Sequence, residues 1–360
     1  MKELIELTKS LIRFPSVHGR PDQIHACADH IEDYLKSSRI AFQRYNFNDT
    51  PSILVLPEDR FAPVVLMSHF DVVDGPDNLF SPREENGCLY GRGSIDDKYA
   101  VALSLVLLKN HVERLGSARK NQNALPFGIL LTGDEEIGGA NGAQKILHEF
   151  KTDFCIALDG GNIQKIVVKE KGILRLKLIS KGKTAHGARP WLGDNAIERL
   201  IEDYRRLKVF FDVSAPDHWH RTLNFSIMHA GSVINQVPDY AEALFDIRYT
   251  ENDDIDALVN AVRADIQGEL QVESTSPMFL GGNSPYLDKL MSFTPSTVLG
   301  CEHGASDARH LADHGIPGIV WGADGEMSQH AEDEHIDIDS FISLYNILDQ
   351  FLSAIGTPLT

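Results

Sequence analysis

Three short, continuous apolar runs constrain this chain more than anything else in it. Val64-Val65-Leu66-Met67, Phe127-Gly128-Ile129-Leu130-Leu131 and Phe154-Cys155-Ile156-Ala157-Leu158 show no polar alternation. Both faces of each run must therefore be covered, and they read as buried strands. Between the first two, Tyr99 to Leu108 is apolar nearly all round, which predicts a helix buried on every side. After Pro21, the residues Ile24, Cys27, Ala28, Ile31, Tyr34 and Leu35 repeat at helical spacing. Buried strands alternating with helices predict an α/β fold around a mostly parallel sheet flanked by helices. Gly116 to Gln122 reads as a solvated loop.

The character changes near Gly172. Leu174-Arg175-Leu176-Lys177-Leu178-Ile179 mostly alternates, as a half-exposed antiparallel strand does. A helical pattern over Asn195 to Phe210 follows, then strands over Leu223–Met228 and Tyr240–Tyr249. A helix carrying Ile255, Leu258, Val259, Val262 and Ile266 and a strand at Leu270–Val272 complete the series. The order β-α-β-β-α-β is the split βαβ, or ferredoxin-like, arrangement. A buried strand returns at Gly318–Trp321, with a closing helix from about Asp339 to Leu352. A chain of 360 residues exceeds what one core usually serves. The simplest organisation is a discontinuous domain of residues 1–172 and 280–360, with residues 173–279 inserted into it.

Chemistry-bearing residues follow the buried strands. Ser68-His69-Phe70-Asp71 comes after the first, and Asp71, two residues on, can accept the far ring N–H of His69 and fix its tautomer. A turn with a capping aspartate reads equally well for this fragment alone. Gly91-Arg92-Gly93-Ser94-Ile95-Asp96-Asp97-Lys98 precedes the buried helix; either aspartate could cap it, or Asp96 could bridge two cations. Thr132-Gly133-Asp134-Glu135-Glu136-Ile137-Gly138-Gly139 places two adjacent carboxylates at a strand end. Adjacent side chains there point different ways, so one can hold a metal while its neighbour faces the activated water. Asp159, before Gly160-Gly161, repeats the design. His330 lies in the polar loop Ser328 to Glu334, where His335 competes as a ligand candidate. His330 must rejoin His69 and Asp159 if all serve one site.

These motifs together resemble the co-catalytic dizinc amidohydrolases and metallopeptidases: aminoacylases, acetylornithine deacetylases, succinyl-diaminopimelate desuccinylases and glutamate carboxypeptidases. HxD, GRGxxDxK, DEExGG, the aspartate of LDGG and HxxDE occur in order over almost the whole chain. The resemblance implies that His69, Asp96 and Asp159 hold one zinc, and Asp96, Glu136 and His330 the other, with Co2+ or Mn2+ able to substitute. It implies Glu135 as general base and proton donor, Asp71 supporting His69, and a cis peptide after Asp96. It also implies a lid and dimerisation role for the inserted domain, His186 as oxyanion donor, and Asn235, Arg248 and Arg309 as contacts to a substrate carboxylate. The implied reaction is amide hydrolysis by zinc-activated water in a small carboxylate-bearing substrate, of exopeptidase or dipeptidase type. Removal of an N-acyl group from an amino acid, by a deacetylase or desuccinylase, is the alternative. Tyr99 departs from the glycine usual after the GRGxxDxK lysine, and Glu332 and His335 depart from the usual last motif.

Composition sets the remaining bounds. A formal net charge of −18 argues against nucleic acid or an anionic membrane as partner. No apolar stretch reaches ~18 residues, so no membrane span is expected. Four scattered cysteines and no signal-like amino terminus fit a cytoplasmic enzyme. A magnesium phosphohydrolase suits the carboxylates but not two histidine ligands. A non-catalytic relic would have lost ligands or the base, and all six positions are filled.

Overall fold

A computed structural model of the chain describes residues 2–57, 60–117, 119 and 121–355. They form two compact units. The first comprises Met1–Lys169, Phe279–Glu302 and Ser306–Thr360, and the second Glu170–Met278 with His303–Ala305.

The first unit is built on a nine-stranded sheet. Its centre is parallel: Phe61–His69 lies between Phe127–Thr132 and Lys151–Ala157, and Gly318–Val320 extends it beyond Lys151–Ala157. Antiparallel strands flank this centre, Thr50–Val55 on one side and Lys165–Glu170 on the other. Side chains alternate between two cores, one on each face. Val64 and Leu66 enter one, and Val65 and Met67 the other. Both faces of Phe61–His69 are thus dry, which is why that segment carries no polar alternation. Lys98–Ser117 packs on this strand and against the helices Lys2–Ile12 and Ile338–Ile355, so its residues Tyr99 to Leu108 are buried on all sides. The helix continues through Ser117 into the segment expected as loop, because Val112 and Leu115 still pack on the core. Ala118 and Lys120 of that segment lie outside the described residues.

The second unit is a four-stranded antiparallel sheet in the order Thr222–Ala230, Tyr240–Tyr249, Gly172–Lys181, Glu269–Ser276. Ala196–Val209 and Ile255–Asp265 complete the ferredoxin-like arrangement, and each helix opens on a side-chain cap. Asn195 Oδ1 accepts from Ile197 N at 3.0 Å, and Asp254 Oδ1 from Ala257 N at 2.9 Å. Leu174, Leu176 and Leu178 point inward with Phe245 and Ile247, against Leu200, Leu207 and Val262 of the helices. Here the alternation expected of a sheet covered on one face is present.

Candidate metal centre

The parallel strands of the first unit deliver most of the candidate ligands at their carboxyl ends, where open α/β sheets collect them. His69 is the last residue of Phe61–His69, and Glu135 and Glu136 open a 3₁₀ turn just beyond Phe127–Thr132. Asp159 follows Lys151–Ala157, and His330 lies in the loop after Gly318–Val320. Asp96 comes from the loop before Lys98–Ser117, joined to Asp97 by a cis peptide bond.

Two sets of donors converge. Ligand atoms of His69, Asp96 and Asp159 lie within 4.8 Å of one another, and so do those of Asp96, Glu136 and His330. Asp96 belongs to both: its Oδ1 is 3.0 Å from His69 Nε2 and its Oδ2 is 3.0 Å from His330 Nε2. Glu136 divides its oxygens differently. Oε1 accepts the backbone N–H of Val73 at 3.1 Å, leaving Oε2 at 3.3 Å from His330 Nε2.

The histidine tautomer tests whether a cation fits. His69 Nδ1 lies 3.0 Å from the backbone oxygen of Asp71, which can only accept, so Nδ1 carries the proton. In the neutral ring Nε2 then presents its lone pair. That atom is buried and makes no hydrogen bond among the described residues, yet it faces Asp96 Oδ1 at 3.0 Å and Asp159 Oδ2 at 3.8 Å. Against the lowering effect of burial, the carboxylates of Asp71, Asp96 and Asp159 hold this imidazole well above its usual range, so the cradle favours positive charge at Nε2, a proton or a metal ion in its place. Nitrogen and oxygen donors of this kind suit a borderline transition metal. The second set carries the same signature: Asp96 and Glu136 push the His330 imidazole up to about 10, so that cradle favours positive charge.

Asp71 supports His69 in a different way from that expected. The His69 ring N–H goes to the Asp71 backbone oxygen, with the carboxylate Oδ1 farther off at 3.4 Å. The carboxylate is engaged by the adjacent turn: Oδ1 accepts Glu135 N and Oδ2 accepts Glu136 N, both at 3.1 Å. A single aspartate thereby fixes the backbone of both neighbouring glutamates. Glu135 is itself largely buried. Burial and the charge of Asp159 raise its carboxyl well above the usual range, against the opposing pull of His69 and Arg309.

Arg309 is placed against that carboxylate. Its Nη2 donates to Glu135 Oε1 at 2.9 Å; the arginine is buried and the glutamate largely so. Arg309 follows Asp307, whose Oδ2 accepts from Thr132 Oγ1 at 3.1 Å. The turn after Glu136 is shaped to this neighbour. Gly139 has φ 66°, and a Cβ there would stand 2.0 Å from Asp307 Oδ1, so only glycine fits. Asp97, read above as a possible cap, accepts the backbone N–H of His69 at 3.3 Å. Sequence reasoning gave these roles of Asp307 and Asp97 no place, since both depend on contacts between distant segments. His335 stands outside both donor sets; its Nδ1 lies 2.9 Å from Asp333 O and its ring packs on Tyr90.

The remaining candidates lie in the second unit. His186, on a short strand paired with Gln236–Val237, shares a surface hollow with Thr184, Val233 and Asn235. Its Nδ1 accepts from Ala188 N at 3.1 Å, and Asn235 O accepts from Gly187 N at 2.7 Å. His186 and Asn235 are thus brought together. Arg248 is not part of that hollow: on Tyr240–Tyr249 its Nε pairs with Asp246 Oδ1 at 2.7 Å.

Two metal-donor sets sharing one carboxylate, beside a largely buried glutamate at the end of a parallel sheet, define a dinuclear metallohydrolase centre. The chain matches Peptidase family M20/M25/M40 over residues 65–354 and belongs to it. It is 28% identical to a succinyl-diaminopimelate desuccinylase of Corynebacterium glutamicum, over 97% of this chain and 96% of that protein. Its fold is that of an M20 family metallo-carboxypeptidase of Sulfolobus solfataricus, with a TM-score of 0.80 at 19% identity, covering 99% of this chain and 100% of that one. A dinuclear metal binding peptidase of the family from Bacillus subtilis superposes with a TM-score of 0.63 at 14% identity, covering 98% of each chain. The protein is a metal-dependent hydrolase of amide or peptide bonds. No helix among the described residues is long and apolar enough to cross a membrane.

Proposed function

We propose that the protein hydrolyses the amide bond of a small carboxylate-bearing substrate, of exopeptidase or dipeptidase type, with Glu135 as general base. The observation that carries this reading is the shared Asp96, which offers one oxygen to each donor set. His69, Asp96 and Asp159 would hold one ion, and Asp96, Glu136 and His330 the other. Two histidines among carboxylates favour zinc, with cobalt or manganese as substitutes. Such a pair of ions supplies an acidified water and a polarised carbonyl.

The chain's own residues do the rest. Glu135, in its ionised form, takes the water proton and returns it to the departing nitrogen. Asp71 holds the backbone of Glu135, and Arg309 holds its carboxylate. His186 would donate to the developing oxyanion, with Asn235 and Arg248 binding the substrate carboxylate. A second reading, removal of an N-acyl group, is favoured by the full-length likeness to a desuccinylase.

The second unit would also serve as lid and dimerisation surface. Its edge strand Thr222–Ala230 exposes Phe225, Ile227 and Met228, and an exposed apolar edge is a natural pairing surface. All four cysteines are free, which suits a reducing, cytoplasmic setting.

The test is mass spectrometry of the zinc-reconstituted protein against a pool of dipeptides and N-acetyl and N-succinyl amino acids. Consumption of dipeptides supports the first reading and of acyl amino acids the second. Consumption of neither by protein carrying two ions overturns both.

A further inference from the structure

Outside the donor sets, a buried ion pair links the two loops that carry Asp96 and His330. Glu334 and Arg92 are both buried, with Arg92 Nη1 at 2.5 Å from Glu334 Oε2. A lone ion pair at that depth adds little net stability, because desolvation offsets the attraction. What distinguishes this one is where its remaining hydrogen bonds go.

Glu334 Oε1 accepts from three backbone N–H groups of the Asp96 loop: Gly93 N at 2.8 Å, Ile95 N at 3.3 Å and Asp96 N itself at 3.3 Å. The Glu334 backbone oxygen accepts a fourth, Gly91 N, at 3.0 Å. Arg92 closes the circuit in the other direction, its Nη2 donating to the backbone oxygen of His330 at 3.3 Å. One carboxylate therefore fixes the backbone of Asp96, and its counter-ion fixes the backbone of His330. These two ligands arise more than two hundred residues apart, and their side chains meet at 3.0 Å. His330 adopts φ 64°, a left-handed conformation that a non-glycine residue keeps only where its surroundings hold it.

We propose that Glu334 and Arg92 are positioning residues that hold Asp96 and His330 in register for the ion these two share with Glu136. The proposal rests on the reading of Asp96, Glu136 and His330 as ligands. It gives a role to two motif residues, the arginine of GRGxxDxK and the glutamate of HxxDE, that neither ligate nor face the substrate in the scheme above.

Calorimetric titration of the metal-free full chain with Zn2+ tests it, comparing wild type, Glu334→Gln and Arg92→Lys. Gln keeps the shape and an acceptor oxygen but loses the charge that holds Arg92. Lys keeps the charge but cannot serve Glu334 and His330 together. Wild type should take up two ions. Asp96 serves both ions but His330 only one, so in each variant one of the two affinities should fall by about tenfold or more and the other by less, the size seen when groups supporting metal ligands are removed. A merely structural role would lower the thermal midpoint and leave the ratio of the two affinities unchanged, and that result overturns the proposal. If Glu334→Gln does not fold, Arg92→Lys decides by the same ratio. Wild type binding fewer than two ions would instead overturn the ligand assignment itself.

Discussion

Arg309 Nη2 lies 2.9 Å from Glu135 Oε1, with the arginine buried and the glutamate largely so. Burial and the charges of Asp159 and Asp307 favour a protonated Glu135, and the Arg309 guanidinium pulls the other way, towards the ionised carboxylate. Arg309→Leu should destabilise the metal-free protein by less than the ~3–5 kcal/mol of a stranded buried charge, because Glu135 can take up a proton, and should lower kcat. Arg309→Lys should recover part of both. Denaturant unfolding and steady-state kinetics measure the two effects, and an unchanged unfolding midpoint in Arg309→Leu would show that the pair does not matter.

Acid stability should depend on His111. Burial and the nearby Arg114 push its imidazole down to about 4 from the usual 6.5, against the pull of Asp349, whose Oδ1 is 3.0 Å away. Between those two values the unfolded chain binds a proton that the native chain refuses. Stability from this group is therefore full above pH 6.5 and lost as the pH falls towards 4, by about 3 kcal/mol at most. His111→Gln should flatten the fall in urea midpoint across that window. An equally steep fall in the variant would assign the acid sensitivity elsewhere.

Association through the second unit should depend on its edge strand. Ile227, 46% exposed on Thr222–Ala230, is a position where a lysine disturbs no core. Ile227→Lys should turn a dimer into a monomer in light scattering without changing the far-UV spectrum. A dimer that survives the substitution, or a monomeric wild type, would contradict this surface as the interface.

Sequence patterns located the central strands because total burial leaves a plain mark, an unbroken apolar run ending at a polar turn. His69, Glu136 and Asp159 were legible for the same reason, each standing at such an end. The outer hairpin left a weaker mark. Gln43–Phe47 is largely exposed and pairs with Thr50–Val55 across Asn48 and Asp49, both left-handed with φ 48° and 62°. That two-residue turn was a usable signal. Arg309 offered none: its contact with Glu135 spans 174 positions, and an arginine near a substrate and one beside the base look alike in sequence. The support of Asp96 by Glu334 was hidden for the same reason, across 238 positions.

In the proposed mechanism, a glutamate held beside two metal-donor sets performs the proton transfers of amide hydrolysis. The most direct measurement is metal content and turnover of Glu135→Gln against wild type, both reconstituted with zinc and assayed on whichever amide the substrate pool identifies. Both proteins should carry two ions per chain, with kcat lower in the variant by about 10²–10⁴-fold. A variant that keeps its turnover, or a wild type that is fully active with no bound metal, would contradict it.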